Sequence, residues 1–498
     1  MKITTQLTAA TAVLFCAHGV SAQDTAETVF DEVVGLYGTM GMNVEIGERM
    51  LDGDVFTASN VVFAYSSAGV KSEVMVDEIQ VSPSEDPDYA FAMVFDEAIE
   101  TTVTTDMPGS AEPMEIAVLI EQPGNMTLVG GTPEARTFAY SADVLRMIMD
   151  QAPMAGPDEE MTFDMVIALN ELSGFGETLG GESGLTYEGA SAEMEMSYKI
   201  SAADGGFDFA SVYTDVTFTG EGPIAGMVDA AAMLASGVTS KGRFTMASSE
   251  TRIEVMDEFS GPTLIEMTSG PGTLDASIAN AHFDYGFSSE TNVINASGAA
   301  LPIPAANLTA DLMSLRLAMP VAPTDAPGEM AIELALEEVA ISEDIWAMFD
   351  PTAGLPRTPA TLIVRARSTA TALVNIMDPD AMQDDPAAAM MPYDFDDVSI
   401  EELRLSVAGV ELEAVGKADL VDAGPVPMPV GGIDISLAGA LGLIEKLQAI
   451  GLVPPDQAAA APMMLGMFAQ PGDAPDTFVS RIEMTADGQI LANGVPIQ

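Results

Sequence analysis

Hydrophobic and polar residues alternate with a period of two along most of the chain, and this pattern predicts a protein built mainly from β-strands. Alternate side chains of a strand point to the same face of a sheet, so each run predicts one apolar and one polar face. Glycine, aspartate, asparagine and proline separate the runs and predict tight antiparallel connections. The clearest runs lie at residues 114–120, 194–200, 212–218, 283–287, 315–319, 332–336 and 433–437.

One stretch predicts a β-hairpin from its residue order alone. Leu403, Leu405 and Val407 alternate with polar residues, and the same alternation resumes at Val410 after Gly409. Two alternating runs joined by a short segment that contains glycine are typical of paired antiparallel strands.

A smaller number of segments place apolar residues at helical spacing. Such a pattern, with acidic residues in the first turn or a proline just beyond the end, predicts short helices. These segments are residues 26–37, 143–151, 223–236, 441–450 and 456–468.

Taken together, the patterns predict a mainly β fold made of extended, curved antiparallel sheets with a few short capping helices. The sheets would form either an elongated groove or a large sandwich. Proline-containing segments at 298–307 and 320–328 are candidate linkers, and we place a boundary near residue 322. It separates an N-terminal β-rich region, 23–322, from a C-terminal β-rich region, 323–498, unless the two are continuous.

The first 22 residues have the pattern of a secretory signal peptide. Lys2 supplies the positive charge, residues 7–20 are mostly apolar or small, and Val20, Ser21 and Ala22 form a cleavage site. We therefore expect cleavage after Ala22 and a periplasmic protein. No later segment is long and apolar enough to predict a transmembrane helix.

The chain is strongly acidic, which excludes some partners. Asp and Glu total 76 against 17 Lys and Arg, giving a formal net charge of −59 at pH 7. Such a chain repels nucleic acid. Because the acids are spread along the whole sequence, adaptation to a salty medium is one explanation, and a cation-binding or basic-partner surface is the other.

The residues that common catalytic centres require are scarce. Outside the predicted signal peptide the chain has one histidine, His282, and no cysteine. No G-x-S-x-G motif and no Gly-rich phosphate loop occurs, and zinc and iron sites favour His and Cys. We therefore predict a protein that is not an enzyme, with no catalytic or cofactor-binding residue and no cofactor.

Calcium is the one metal that needs only oxygen ligands, and one acidic segment is dense enough to consider. Asp394, Asp396 and Asp397 are followed by Glu401 and Glu402. The segment lacks the glycine of an EF-hand turn, so a solvated acidic loop leading into a strand is the alternative, and we assign no metal site.

Methionine is abundant, at 34 residues. Its flexible, polarisable side chain is suited to adaptable apolar grooves. The alternative is that methionine fills core positions in place of leucine and isoleucine, since most methionines share faces with those residues.

Several segments of the C-terminal third carry a family resemblance. They are D-I-W-A-M-F-D-P at 344–351, L-P-R at 355–357, G-L-I-E-K-L at 442–447, I-G-L-V-P at 450–454, M-M-L-G-M-F at 463–468 and D-G-Q-I-L-A-N-G at 487–494. Together they resemble the uncharacterised alphaproteobacterial family known as domain of unknown function 2125. That resemblance implies no activity, cofactor or catalytic residue. The closing pattern is also similar to AsmA-like periplasmic β-groove proteins, which implies lipid handling in the envelope.

The residues of these segments have structural interpretations. Trp346 and Phe349 would share one side of a short helix, and Arg357 would pair with Asp350. Gly488 and residue 494, also a glycine, fit turns at strand ends. We expect core and turn roles for these segments.

Three functions remain open. The first is a periplasmic non-enzymatic protein that binds an apolar or lipid-like ligand or an envelope partner. The second is a structural or assembly factor of the envelope without a small ligand. The third is a hydrolase of envelope polymers that uses only carboxylates, for which two converging acids would be the signature.

Overall fold

The structure is a computed structural model that describes residues 24–39, 41–67, 70–105, 114–132, 135–155, 160–179, 184–202, 205–223, 239–257, 261–378, 391–421 and 427–497. The predicted signal peptide lies outside these residues. The fold is mainly β and antiparallel, with four short helices among the described residues, so the predicted fold class is confirmed. The chain divides after Glu266 into two compact units.

The strands of the first unit are β1 (Met42–Asp52), β2 (Val55–Ser67), β3 (Val70–Pro83), β4 (Phe91–Phe95), β5 (Ala98–Thr105), β6 (Met114–Glu121), β7 (Met126–Thr132), β8 (Ala135–Ala155), β9 (Glu160–Leu179), β10 (Gly184–Ala202), β11 (Gly205–Pro223), β12 (Ser240–Met246) and β13 (Ser248–Asp257). β1, β2 and β3 form a meander. Two short branches then connect β3 to β8, one through β5 and β6 and the other through β4 and β7. The long strands β8 to β11 complete the meander.

Helix α1 (Ala26–Thr39) packs on the apolar side of this sheet and completes the core of the first unit. Phe30 lies 5.0 Å from Phe56 between ring centroids, and Tyr37 lies 4.8 Å from Phe63. These side chains are fully buried. The helix is therefore stabilised mainly by packing its apolar face against the sheet, and its intrinsic helix propensity contributes less.

Charged side chains fix the same helix to the sheet. Arg136 of β8 has no exposed side-chain surface and binds Glu32 of α1 at 3.0 Å. Arg49 of β1 binds Glu27 at 3.3 Å and also Asp31. Two of the few basic residues of the chain are thus used to hold α1.

The second unit continues with β15 (Gly272–Ala279), β16 (His282–Gly298), β17 (Ala305–Pro320), β18 (Gly328–Ile341), β19 (Ala360–Ala372), β20 (Tyr393–Phe395), β21 (Asp397–Val407), β22 (Val410–Val421), β23 (Met428–Ala438), β24 (Gln470–Pro471), β25 (Thr477–Met484), β26 (Ile490–Ala492) and β27 (Val495–Pro496), and β14 (Thr263–Ser269) crosses the division. The chain forms an antiparallel meander through β15, β16, β17, β18, β19, β21, β22, β23 and β25. Its helices are α2 (Glu343–Ala347), α3 (Ala440–Ala449) and α4 (Pro455–Phe468).

The predicted hairpin is confirmed as β21 and β22. Val407 pairs with Val410, and the two residues between them, Ala408 and Gly409, have φ values of 52° and 87°. Positive φ at both central residues is the geometry of a type I′ turn, which matches the twist of the flanking strands.

Three of the predicted helices are confirmed, as α1, α3 and α4. The helix predicted at 143–151 is wrong, because these residues lie within β8. Leu145, Met147 and Met149 face the core with a period of two, while Val144 and Ile148 half-fill the other face. A segment with apolar residues on both faces fits a helical pattern and a strand pattern equally well. Here the segment forms a strand because it pairs with strands on both sides. Residues 224–236 of the remaining predicted helix lie outside the described residues.

The segments predicted as linkers at 298–307 and 320–328 are connections between paired strands of the second unit. The first joins β16 to β17 and the second joins β17 to β18. The boundary predicted near residue 322 lies in the second of these connections.

Phe30→Ala should lower the free energy of unfolding by about 3–5 kcal/mol, because it removes a buried aromatic ring from the centre of the contact between α1 and the sheet. Val34→Ala on the same helix, where the side chain is only partly buried, should cost less than half as much. Urea unfolding followed by circular dichroism measures both. Equal losses for the two variants would show that Phe30 does not anchor α1.

Candidate functional site

The pairing register of the second unit assembles one continuous apolar surface, here called the apolar face. One row of cross-strand neighbours shows this most clearly, since it is apolar on seven consecutive strands: Met313, Leu336, Leu362, Leu405, Leu412, Leu437 and Phe478. Adjacent rows on the same face add Phe283, Tyr285, Phe287, Leu315, Leu317, Met319, Ile332, Leu334, Val364, Ile400, Leu403, Ile433, Ile435 and Ile482. At about 4.8 Å per strand, the seven-strand row spans about 29 Å.

The apolar face remains accessible to solvent. None of the side chains that define it is fully buried, and Ile332 and Phe287 are 47% and 36% exposed. The first unit differs, because there α1 covers part of the sheet and the side chains beneath it are buried. A contiguous apolar surface of this size is typical of a binding site for an apolar ligand or a partner.

The opposite face of the same strands is charged and carries a network of ion pairs. Arg316 of β17 contacts Asp284 at 2.6 Å and Glu333 at 2.9 Å. Arg367 of β19 contacts Glu333 at 3.0 Å and Glu401 at 2.9 Å. Arg316 and Arg367 are therefore placed where each can neutralise several acids across neighbouring strands.

A β-bulge brings two consecutive glutamates of the acidic segment onto this charged face. The register of β19 and β21 shifts between Arg365 and Ala366, so Glu402 lies opposite Arg365 and Glu401 is the extra, unpaired residue of the bulge. Glu402 binds Arg365 at 2.5 Å, and Glu401 binds Arg367.

Two further acids of the segment considered for calcium are also part of the sheet. Asp394 lies in β20, and Asp397 begins β21. The Asp397 carboxylate binds Lys417 at 2.8 Å and accepts a hydrogen bond from the Thr369 backbone amide at 2.8 Å. Within the described residues, no group of three or more metal-binding side chains could hold a metal ion.

Asp350 is the centre of a buried polar cluster beside α2. Its side chain has no exposed surface, and its two carboxylate oxygens accept hydrogen bonds from the backbone amides of Gly354 and Leu355, both at 2.8 Å. Arg357 binds it at 2.6 Å, which confirms the predicted pair. The Arg357 guanidinium also lies 4.2 Å from the ring centroid of Trp346. This cluster fixes the segment after α2.

The pKa of Asp350 follows from these contacts. Burial alone would raise the pKa of its carboxyl, but the hydrogen bonds from Leu355 and Gly354 and the Arg357 guanidinium outweigh burial, so the pKa lies below its usual value. Trp346 is half-buried, with its ring centroid 5.0 Å from that of Phe349. Phe349 lies beyond the end of α2 and is 37% exposed, so its predicted core role on that helix is wrong.

His282 begins β16, as a half-buried strand residue. Its Nε2 atom lies 2.7 Å from the backbone carbonyl oxygen of Glu329. Because a backbone carbonyl only accepts hydrogen bonds, Nε2 is the donor. This hydrogen bond links the start of β16 to the start of β18.

Acids also line a depression of about 1050 Å³ in the first unit, which bears on the hydrolase alternative. The acidic residues there are Glu73, Asp77, Asp96, Glu100 and Asp150. The carboxylate of Asp96 accepts hydrogen bonds from two backbone amides, at 2.6 Å and 3.0 Å. This acid therefore has a structural function, because it ties the segment between β4 and β5 to β3.

The predicted core roles are wrong for part of the M-M-L-G-M-F segment. Met463, Met464 and Met467 point away from the protein on α4 and are among its most exposed apolar side chains. The turn roles are confirmed for Gly488 and Gly494, which have φ values of 81° and 80°.

Comparison with known families gives one match. Residues 241–497 match the family described as "Uncharacterized protein conserved in bacteria (DUF2125)". The chain belongs to this family. The matched range contains every strand of the apolar face and helices α2 to α4.

No curated protein and no solved structure matched the chain. Among the described residues, no helix has the length and hydrophobicity that crossing a membrane requires.

Arg367→Met should lower the free energy of unfolding by about 1–2 kcal/mol at low salt, because it leaves Glu329, Glu333 and Glu401 without this shared cation. The loss should shrink at about half-molar salt, where repulsion between the acids is screened. Arg404→Met on the same face is the control, since among the described residues Arg404 makes no ion pair. Urea titrations at both salt concentrations measure the effect, and equal losses for the two variants would contradict it.

Asp350→Asn should lower the free energy of unfolding most at neutral pH. The difference in this free energy between the variant and the wild type should shrink below about pH 4. A carboxyl whose pKa is lowered in the folded state stabilises the protein above its unfolded pKa, and this contribution is lost as the pH falls through the folded value. Denaturant unfolding at several pH values between about 7 and 2.5 measures the deficit. Asp344→Asn, at an exposed carboxylate nearby, is the control. A deficit for Asp350→Asn that is the same at every pH would contradict the assignment.

Proposed function

We propose that this protein is a non-enzymatic periplasmic protein that binds the acyl chains of a lipid-like ligand on the apolar face of its second unit. The observation that supports this proposal is the continuous apolar surface, which is accessible to solvent. The seven-strand row, at about 29 Å, is close to the thickness of a bilayer's hydrocarbon core, so it is long enough for one or two acyl chains end to end.

The composition of the surface supports an apolar ligand over a polar one. Leucine, isoleucine, valine, phenylalanine and methionine form the rows, and the charged side chains of the same strands lie on the other face in ion pairs. Covering these side chains would stabilise the complex through the hydrophobic effect without any loss of existing polar contacts.

The compartment and the absence of catalysis rest on the sequence. The pattern of residues 1–22 supports export, and the similarity to AsmA-like β-groove proteins is consistent with a lipid-handling role in the envelope. His282, the only histidine beyond that pattern, uses its Nε2 atom in a hydrogen bond to the main chain.

The direct test is to purify the protein without detergent from the periplasm of its own host and to identify bound molecules by mass spectrometry. We expect acyl-chain lipids at a fixed ratio to protein. A structural or assembly factor would instead carry no lipid and would yield a protein crosslinked to the apolar face, which would overturn the proposal.

A variant pair locates the binding. Phe287→Gln combined with Ile332→Gln changes the two most exposed side chains of the apolar face and should weaken binding of a fluorescent fatty acid by about tenfold. Val415→Gln is the matched control, because Val415 is 50% exposed on the charged face of β22. Equal effects of the two changes would place the ligand elsewhere, and circular dichroism checks that both variants are folded.

A further inference from the structure

Helix α4 presents an exposed apolar face, here called the methionine face, that consists of Met463, Met464, Met467 and Phe468. Their exposed fractions are 71%, 61%, 65% and 43%. Positions i, i+1, i+4 and i+5 lie on one side of an α-helix. Of the less exposed residues of α4, Ala458, Ala461 and Leu465 lie on the other side, and Ala460 lies on the side of the methionines.

The methionine face is held in a defined place. The backbone carbonyl oxygen at the end of α4, on Phe468, accepts hydrogen bonds from Ser480 Oγ at 2.5 Å and from Asn493 Nδ2 at 3.0 Å. The preceding helix, α3, is capped by the Asp476 carboxylate, which accepts bonds from the amides of its first turn at 3.0 Å and 2.9 Å. Since both helices are tied to the sheet around β25, the exposure of the methionines is a property of the fold.

The charge around this face indicates which kind of partner it suits. Residues 447–469 contain one charged residue, Asp456, in a chain with a net charge of −59. Leu452, in the connection between α3 and α4, adds another apolar side chain that is 51% exposed. The four side chains of the methionine face offer no ion pair to a basic protein partner, and Asp456 lies two turns away on the same side of α4. Flexible methionine side chains, in contrast, adapt to a disordered apolar phase.

We propose that the methionine face docks the protein on an uncharged or zwitterionic lipid surface, with these side chains inserted among the acyl chains. The strongly acidic remainder of the protein would repel an anionic membrane, whereas the four uncharged side chains of the methionine face can approach an uncharged or zwitterionic lipid surface closely. Docking through α4 requires no ligand on the apolar face, so this proposal stands independently of the proposed function.

The test is flotation of the purified protein with phosphatidylcholine vesicles. The triple variant Met463→Gln, Met464→Gln, Met467→Gln should lower the vesicle-bound fraction by at least about tenfold relative to the wild type, since three apolar side chains no longer favour the lipid phase. The matched control makes the same change at three exposed methionines of the first unit, Met50, Met75 and Met256, and should leave binding unchanged.

Lipid charge supplies a second measurement. With phosphatidylglycerol vesicles we expect weaker binding at low salt than with phosphatidylcholine, and recovery as salt screens the repulsion. Thermal melts confirm that both triple variants are folded.

The proposal is overturned if the wild type does not float with phosphatidylcholine vesicles or if the two triple variants bind equally. It is also overturned if light scattering shows a wild-type dimer that the α4 variant dissociates, because a second copy would then cover the methionine face. Loss of fatty-acid binding in the apolar-face variant with vesicle binding retained would separate the two proposals.

Discussion

Cross-strand register is the constraint on which the second unit depends. A slip of one residue between β18 and its neighbours would move Leu334 onto the charged face and Glu333 onto the apolar face. Such a slip would separate carboxylates from their arginines and place them among leucines, and both changes are unfavourable. Hydrophobic pairing on one face and ion pairing on the other therefore favour the same register. This agreement explains how a meander of many strands can adopt one strand register.

The charge of the chain makes the placement of its few cations important. With 17 Lys and Arg against 76 acids, most carboxylates have no cation available. Arg316 and Arg367 lie between acids of adjacent strands, where each reduces repulsion at several positions at once. Isolated surface ion pairs contribute little, but a network that also opposes strong self-repulsion contributes more, and mainly at low salt.

Much of this fold could be predicted from the sequence, because strand alternation, hairpin turns and short amphipathic helices are local patterns. The runs containing Leu334 and Ile435 predict strands with the correct face apolar. Their alignment into one surface could not be predicted, since it depends on long-range register and on the bulge at Glu401 and Glu402. The helix predicted at 143–151 was wrong for a related reason. Apolar residues on both faces of this segment also fit a helical pattern, and its strand conformation depends on pairing with neighbouring strands that the local sequence does not reveal.

The candidate site was less predictable than the fold, because exposure is a property of what packs above a residue and not of the residue itself. Phe30 and Met464 are both apolar residues of predicted helices, yet one is fully buried and the other is 61% exposed. In the first unit the chain supplies α1 to cover its own apolar surface, and arginines fix that helix. The second unit has an apolar surface of the same construction whose large side chains remain accessible. Accessible apolar area on this scale is costly in water, and the acyl-chain ligand that we propose would remove this cost by covering the surface.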